Sequence, residues 1–112
     1  MERTNITFDV VDPERLAAFW VAATGRRLAE ATPDVALLTS ATEPVRLLFL
    51  KVAEGKAVKN RMHLDFQAAD RIAEVARLRG LGATEYATHQ EHGMIWTVMT
   101  DPEGNEFCIV QA

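Results

Sequence analysis

From Asn5 to Val10 the chain alternates: Ile6, Phe8 and Val10 are apolar, and Asn5, Thr7 and Asp9 are polar. That period of two predicts a strand with one buried face. The pattern breaks at Asp12-Pro13-Glu14, where Asp can cap a helix through its side-chain oxygen and Pro suits the first helical position. The stripe Leu16, Phe19, Trp20, Ala23 predicts that helix, and Gly25 supplies a left-handed residue to end it. Short apolar runs at residues 26–30, 35–40 and 46–52 predict three strands, separated by Thr32-Pro33-Asp34 and Thr42-Glu43-Pro44. A polar connector follows over residues 53–60.

The same order then repeats. Met62, Leu64 and Phe66 alternate with His63, Asp65 and Gln67; Asp70 precedes a helical stretch carrying Ile72, Val75, Ala76 and Leu81; Gly82 ends it. Strands are expected at 83–87, 93–100 and 106–110, with a loop over Thr88-His89-Gln90-Glu91-His92-Gly93 and a tight turn at Asp101-Pro102-Glu103-Gly104-Asn105. At an offset of 56, Asp9 matches Asp65, Arg15 matches Arg71 and Ala17 matches Ala73; at 58, Phe8 matches Phe66 and Asp12 matches Asp70. The shared order of elements says more than these few identities: the chain reads as two β-α-β-β-β modules, about 1–55 and 56–112, in one domain spanning 1–112.

Composition narrows the function classes. The 112 residues are 48% hydrophobic and 25% charged, with twelve Lys plus Arg against sixteen Asp plus Glu, a formal charge of −4. This fits one globular domain with a sizeable core. The mild negative balance and the lack of a basic run argue against nucleic acid. Runs such as Leu47-Leu48-Phe49-Leu50 fall far short of the ~18 apolar residues of a membrane span. Met1-Glu2-Arg3-Thr4-Asn5 shows no export signal, and a single cysteine, Cys108, allows no internal disulfide, so the expected compartment is the cytoplasm.

Three strings carry a resemblance: Asp9-Val10-Val11-Asp12-Pro13-Glu14-Arg15 leading into Phe19-Trp20, then residues 59–66 around His63, then Trp96 through the Asp-Pro-Glu-Gly-Asn turn to Cys108. In this order they resemble the vicinal oxygen chelate (VOC) superfamily, in its glyoxalase-like and bleomycin-resistance-like branch. The resemblance implies an α+β fold, two tandem βαβββ modules curled into a half-open eight-stranded barrel with two outer helices, often within a homodimer. It also implies metal ligands on the first and last strand of each module, usually two His or Gln with two Glu. Here those positions fall at Asn5, near Leu50, at His63 and at Cys108. Only His63 is of the usual type; leucine cannot coordinate, and neutral Asn is a poor donor for such divalent ions. No required metal and no other cofactor is therefore expected.

If the family fold turns the polar strand faces inward, Asn5, Thr7 and Asp9 with His63, Asp65 and Gln67 line a concave cleft; the alternative is an ordinary solvated sheet face. His63 suits a ligand, a general base or a simple hydrogen-bonding role, with Asp65 placed to orient it or a substrate. Glu106 shares a face with Cys108, which directs it into the cleft across from His63 as a proton shuttle, or leaves it a solvated charge beside the turn. Cys108 has no cationic neighbour in sequence and reads as a small buried residue rather than a nucleophile. Trp96 and Met99 fall on opposite faces of one strand, so only one can face the cleft; core packing is the simpler role for both, and an aromatic wall the alternative for Trp96. His89 and His92 have a spacing that holds metal on a helix, which means little in a loop; a solvated loop is the simpler reading, and one of them edging the cleft the alternative. The expected ligand-binding set is thus Asn5, Thr7, His63, Asp65, Trp96, Glu106 and Cys108, with His63 and Glu106 as the candidate catalytic pair. The leading reading is a small-molecule-binding homodimer; the rival is a lyase, isomerase or dioxygenase of the same superfamily, using His63 and Glu106 as acid and base or a residual metal site; a dimeric interaction module without a ligand is the third.

Overall fold

A computed structural model describes residues 3–112; Met1 and Glu2, where the export-signal reading begins, lie outside the described residues. The chain divides into a first unit ending at Lys56 and a second from Ala57 to Ala112. The first contains β1 (Asn5–Val10), α1 (Pro13–Thr24), β2 (Arg27–Ala31), β3 (Val35–Thr39) and β4 (Arg46–Lys51). The second contains β5 (Leu64–Ala68), α2 (Arg71–Leu81), β6 (Thr84–Glu91), β7 (Met94–Thr100) and β8 (Glu106–Gln111). Each is a βαβββ module, so the α+β class and the paired modules hold.

Both modules are wired alike. The sheet orders are β1-β4-β3-β2 and β5-β8-β7-β6. The first strand runs parallel to the last, and the remaining pairs are antiparallel. Asp12 and Asp70 cap the helices, accepting from Arg15 N at 3.2 Å and Ala73 N at 3.0 Å. Gly25 and Gly82 end them at φ of 74° and 114°, values that favour glycine. Register shifts occur between Leu28 and Glu30 and between Glu85 and Ala87. Such irregularities bend a strand and raise its twist.

In the first module the core joins Val10, Leu16, Phe19, Trp20, Leu38, Leu47 and Phe49, all buried. Phe8 sits 5.2 Å from Phe49 and 6.3 Å from Trp20 between ring centroids, and Phe19 meets Trp20 edge-on at 5.1 Å. In the second module Val75, Leu78, Met99, Phe107 and Ile109 are buried. The face that α2 buries differs from the expected stripe: Ile72 is 70% exposed, and Leu81 is exposed as well. Half-buried Arg71 takes the inner place in the first turn and donates from its guanidinium to buried Thr97 Oγ1 at 2.6 Å. Positions 71, 75 and 78 follow an i, i+4, i+7 line, so the arginine's aliphatic stem completes the helix face in place of isoleucine.

The largest correction concerns residues 88–93. Thr88–Glu91 continue β6 instead of forming a loop. His92 at φ 52° and Gly93 at φ 75° make a two-residue connection between Glu91 and Met94, which pair directly. Two consecutive left-handed residues match the twist of a hairpin, and the antiparallel register then sets His89 opposite Trp96. A smaller correction is that β5 begins at Leu64, so exposed Met62 is outside the strand and His63 immediately precedes it.

Candidate functional site

The site is built from the four strands of the second module and the segment just before β5. On β7, Thr97 and Met99 are buried and Thr97 contacts α2 through Arg71, so Trp96 and Val98 project from the opposite face. On β8 the same alternation buries Phe107 and Ile109 and sends Glu106, Cys108 and Val110 to the face shared with Trp96 and Val98. These residues, with Lys59, His63, Asp65, His89 and Met94, line a concave pocket of about 420 Å³.

The turn before β8 fixes its register. Asp101 and Asn105 are buried. Asp101 Oδ1 accepts from the backbone N–H groups of Glu103 and Asn105, each at 2.9 Å, and the Asn105 side-chain amide donates to both carboxylate oxygens at 3.1 and 2.9 Å. Gly104, at φ 87°, donates from its N–H to the Asp101 carbonyl at 2.9 Å. The Asp-Pro-Glu-Gly-Asn string is thus a self-satisfied knot whose next residue, Glu106, enters the pocket. Asn60 N donates to Glu106 Oε2 at 3.0 Å, which ties the connector to the same rim.

His63 Nδ1 lies 2.8 Å from Asp65 Oδ1. With Nδ1–H donating to the carboxylate, Nε2 is left as an acceptor. The ligating atoms of His63, Asp65 and Cys108 lie within 4.8 Å of one another. Burial pushes the Cys108 thiol up to about 11; its hydrogen bond to Asp65 and that residue's negative charge add to the rise, while Lys59 opposes it. Cys108 is therefore a neutral thiol near pH 7, not a nucleophilic thiolate.

Of the expected site residues, His63, Asp65, Trp96, Glu106 and Cys108 line one pocket. Asn5 and Thr7 lie exposed on β1 of the first module, where Asn5 Oδ1 accepts from Arg46 Nε at 2.9 Å. Trp96 is a pocket wall instead of core, and Met99 is the buried member of that pair. The sequence reading misses Lys59, Met94, Val98 and Val110, and offers His89 only as a loop residue at the cleft's edge. Period-two extension from Trp96 and Cys108 gives Met94, Val98 and Val110; His89 needed the hairpin register. Its ring stacks on Trp96 at 5.4 Å with 30° between planes.

The positions where the resemblance places metal ligands do not form the usual set. Asn5 is engaged by Arg46, Leu50 has no donor atom, and Cys108 holds its proton. The nitrogen, oxygen and sulfur of His63, Asp65 and Cys108 are close enough for a small cation, but binding there must expel the thiol proton and break the Asp65 contacts. The residues do not fit the family's metal.

A family model for a glyoxalase-like domain matches residues 5–110. The chain belongs to this glyoxalase-like family. No curated protein matches it in sequence. Among solved structures, this glyoxalase-like chain is similar to a glyoxalase/bleomycin resistance protein/dioxygenase family enzyme from Burkholderia phytofirmans PsJN, with a TM-score of 0.78, 20% identity and 96% of each chain covered. It is also similar to TnmS3, an antibiotic binding protein from Streptomyces sp. CB03234, with a TM-score of 0.73, 18% identity and coverage of 99% of this chain and 95% of that one. The fosfomycin resistance protein FosX from Mesorhizobium loti aligns with a TM-score of 0.73 at 16% identity, covering 97% of this chain and 89% of that one. At these identities the likeness is one of fold. Among the described residues no helix of the glyoxalase-like chain is long and apolar enough to cross a membrane.

Proposed function

We propose that this protein binds and holds a small organic molecule in the pocket of its second module, without a required metal. The observation that carries the reading is the pocket itself: about 420 Å³, with Met94, Trp96, Val98 and Val110 forming an apolar wall and His63, Asp65 and Glu106 supplying a few polar groups. That combination of concavity, apolar lining and sparse polar anchors is what small-molecule sites have in common. A fold neighbour that is an antibiotic binding protein supports the reading without carrying it. In the same reading the protein is a cytoplasmic homodimer.

One observation favours a second reading, a lyase, isomerase or dioxygenase. The Asp65 contact at 2.8 Å orients His63 as a general base, with Glu106 as its acid partner in the same pocket. A thermal-shift screen of aromatic metabolites, antibiotics and 2-oxoaldehyde adducts, followed by mass spectrometry of each hit, separates the two. The binding reading expects hits that return unchanged, retain most affinity in His63→Gln, and lose it in Val98→Phe, which fills the pocket. Conversion of a hit, slowed by roughly 10² to 10⁴-fold in His63→Gln or Glu106→Gln, would establish the enzyme instead.

A further inference from the structure

Two features of the pocket, one on each side, restrict what it can hold. On the apolar side, His89 and Trp96 stand on neighbouring strands as direct register partners, their rings stacked at 5.4 Å and 30°. Both line the pocket. A third ring can extend this stack, and offset stacking is a favoured geometry for aromatic pairs. Val98 and Val110 continue the wall, and Met94 at the exposed end adds a polarizable thioether that also favours aromatic contact.

The polar side is rich in acceptors. Asp65 and Glu106 bring two carboxylates, and His63, with Nδ1–H turned to Asp65, presents Nε2 as a lone-pair acceptor. Against these stand the Lys59 ammonium, which reaches the Asn60 carbonyl at 3.4 Å, and the Cys108 thiol beside Asp65. Two negative charges against one positive disfavour an anionic ligand. A ligand that offers only acceptors could give these groups no hydrogen bond in exchange for the water it displaced.

We infer that the ligand class is a flat aromatic molecule with a hydrogen-bond donor on its rim, a phenol or an aromatic amine. His89 and Trp96 form the shelf it stacks on, and the acceptors around Asp65 take its donor. This rests on the reading of the pocket as a binding site and names what the site selects.

Four naphthalene-sized probes test each requirement by titration calorimetry and amide chemical-shift mapping. 2-Naphthol is flat with a donor, 2-methoxynaphthalene flat without one, 2-naphthoate flat and anionic, and decahydro-2-naphthol a donor that is not flat. The expected result is that 2-naphthol binds about tenfold or more tightly than each of the others, with shifts on β6, β7 and β8. Trp96→Leu and His89→Ala should each weaken 2-naphthol about tenfold, in line with aromatic stacking. Asp65→Asn should weaken 2-naphthol while leaving 2-methoxynaphthalene unchanged, a difference that misfolding would not produce. Equal binding of the methyl ether overturns the donor requirement, equal binding of the saturated alcohol overturns the flat one, and tighter binding of the naphthoate overturns the charge argument. If all four fail while a chemically different screening hit occupies the pocket and is lost in Val98→Phe, this ligand class is wrong and the binding reading stands. If no compound of either set binds, both are wrong.

Discussion

Asp101→Ala tests how far the buried turn before β8 supports both stability and the pocket. The Asp101 carboxylate accepts from the Glu103 and Asn105 backbone N–H groups and twice from the Asn105 side chain. Truncation leaves two buried donor groups on Asn105 without this acceptor; the Glu103 N–H, only part-buried, can turn to water. Leaving a buried donor unsatisfied costs ~1 to 3 kcal/mol, so the two groups together cost ~2 to 6 kcal/mol. Relief from burying a carboxylate offsets part of that, which places the expected loss at about 2 to 4 kcal/mol. Urea unfolding followed through Trp96 fluorescence and far-ultraviolet circular dichroism measures it, with Trp20→Phe as background so that Trp96 alone reports. The double variant Asp101→Ala/Asn105→Ala removes the stranded side-chain amide and should be less destabilised than the sum of the single variants. A loss below about 1 kcal/mol in Asp101→Ala, or full additivity in the double variant, would refute the claim that this knot organises the strand.

Cys108 should react slowly with iodoacetamide at pH 7 to 8, with the rate climbing towards an ionisation near 11; fast alkylation at neutral pH would contradict its burial beside Asp65. Because the folded state raises this thiol above its ordinary 9.0, its stabilising contribution is full below pH 9 and is lost as pH rises through about 11, visible as a falling melting temperature in that range relative to Cys108→Ala. Elemental analysis of protein purified without an affinity tag should find no stoichiometric transition metal; one Zn, Ni, Mn or Fe per chain, lost in His63→Ala, would overturn the metal-free reading. Light scattering at micromolar concentration should give twice the chain mass, and a clean monomer would remove the dimer from the proposal.

Local chemistry along the chain determined the elements and their ends. The alternation of Asn5–Val10, the Asp12 and Asp70 caps and the Gly25 and Gly82 stops act within a few residues, so the repeated βαβββ order was legible without a structure. The same period of two set Trp96 and Met99 on opposite faces, and it paired Glu106 with Cys108. What tertiary structure decided was which distant positions meet. Whether α2 turns Ile72 or Arg71 inward depends on a hydrogen-bonding partner, Thr97, 26 residues away. His89 belongs to the pocket because a two-residue turn at His92-Gly93 continues β6 and aligns it with Trp96. The Cys108 thiol lies beside Asp65 because a parallel pairing brings the last strand of the module against its first. Periodicity assigns a side chain to a face, whereas a binding site depends on register between strands, and register is set by turns and pairings that span the whole module.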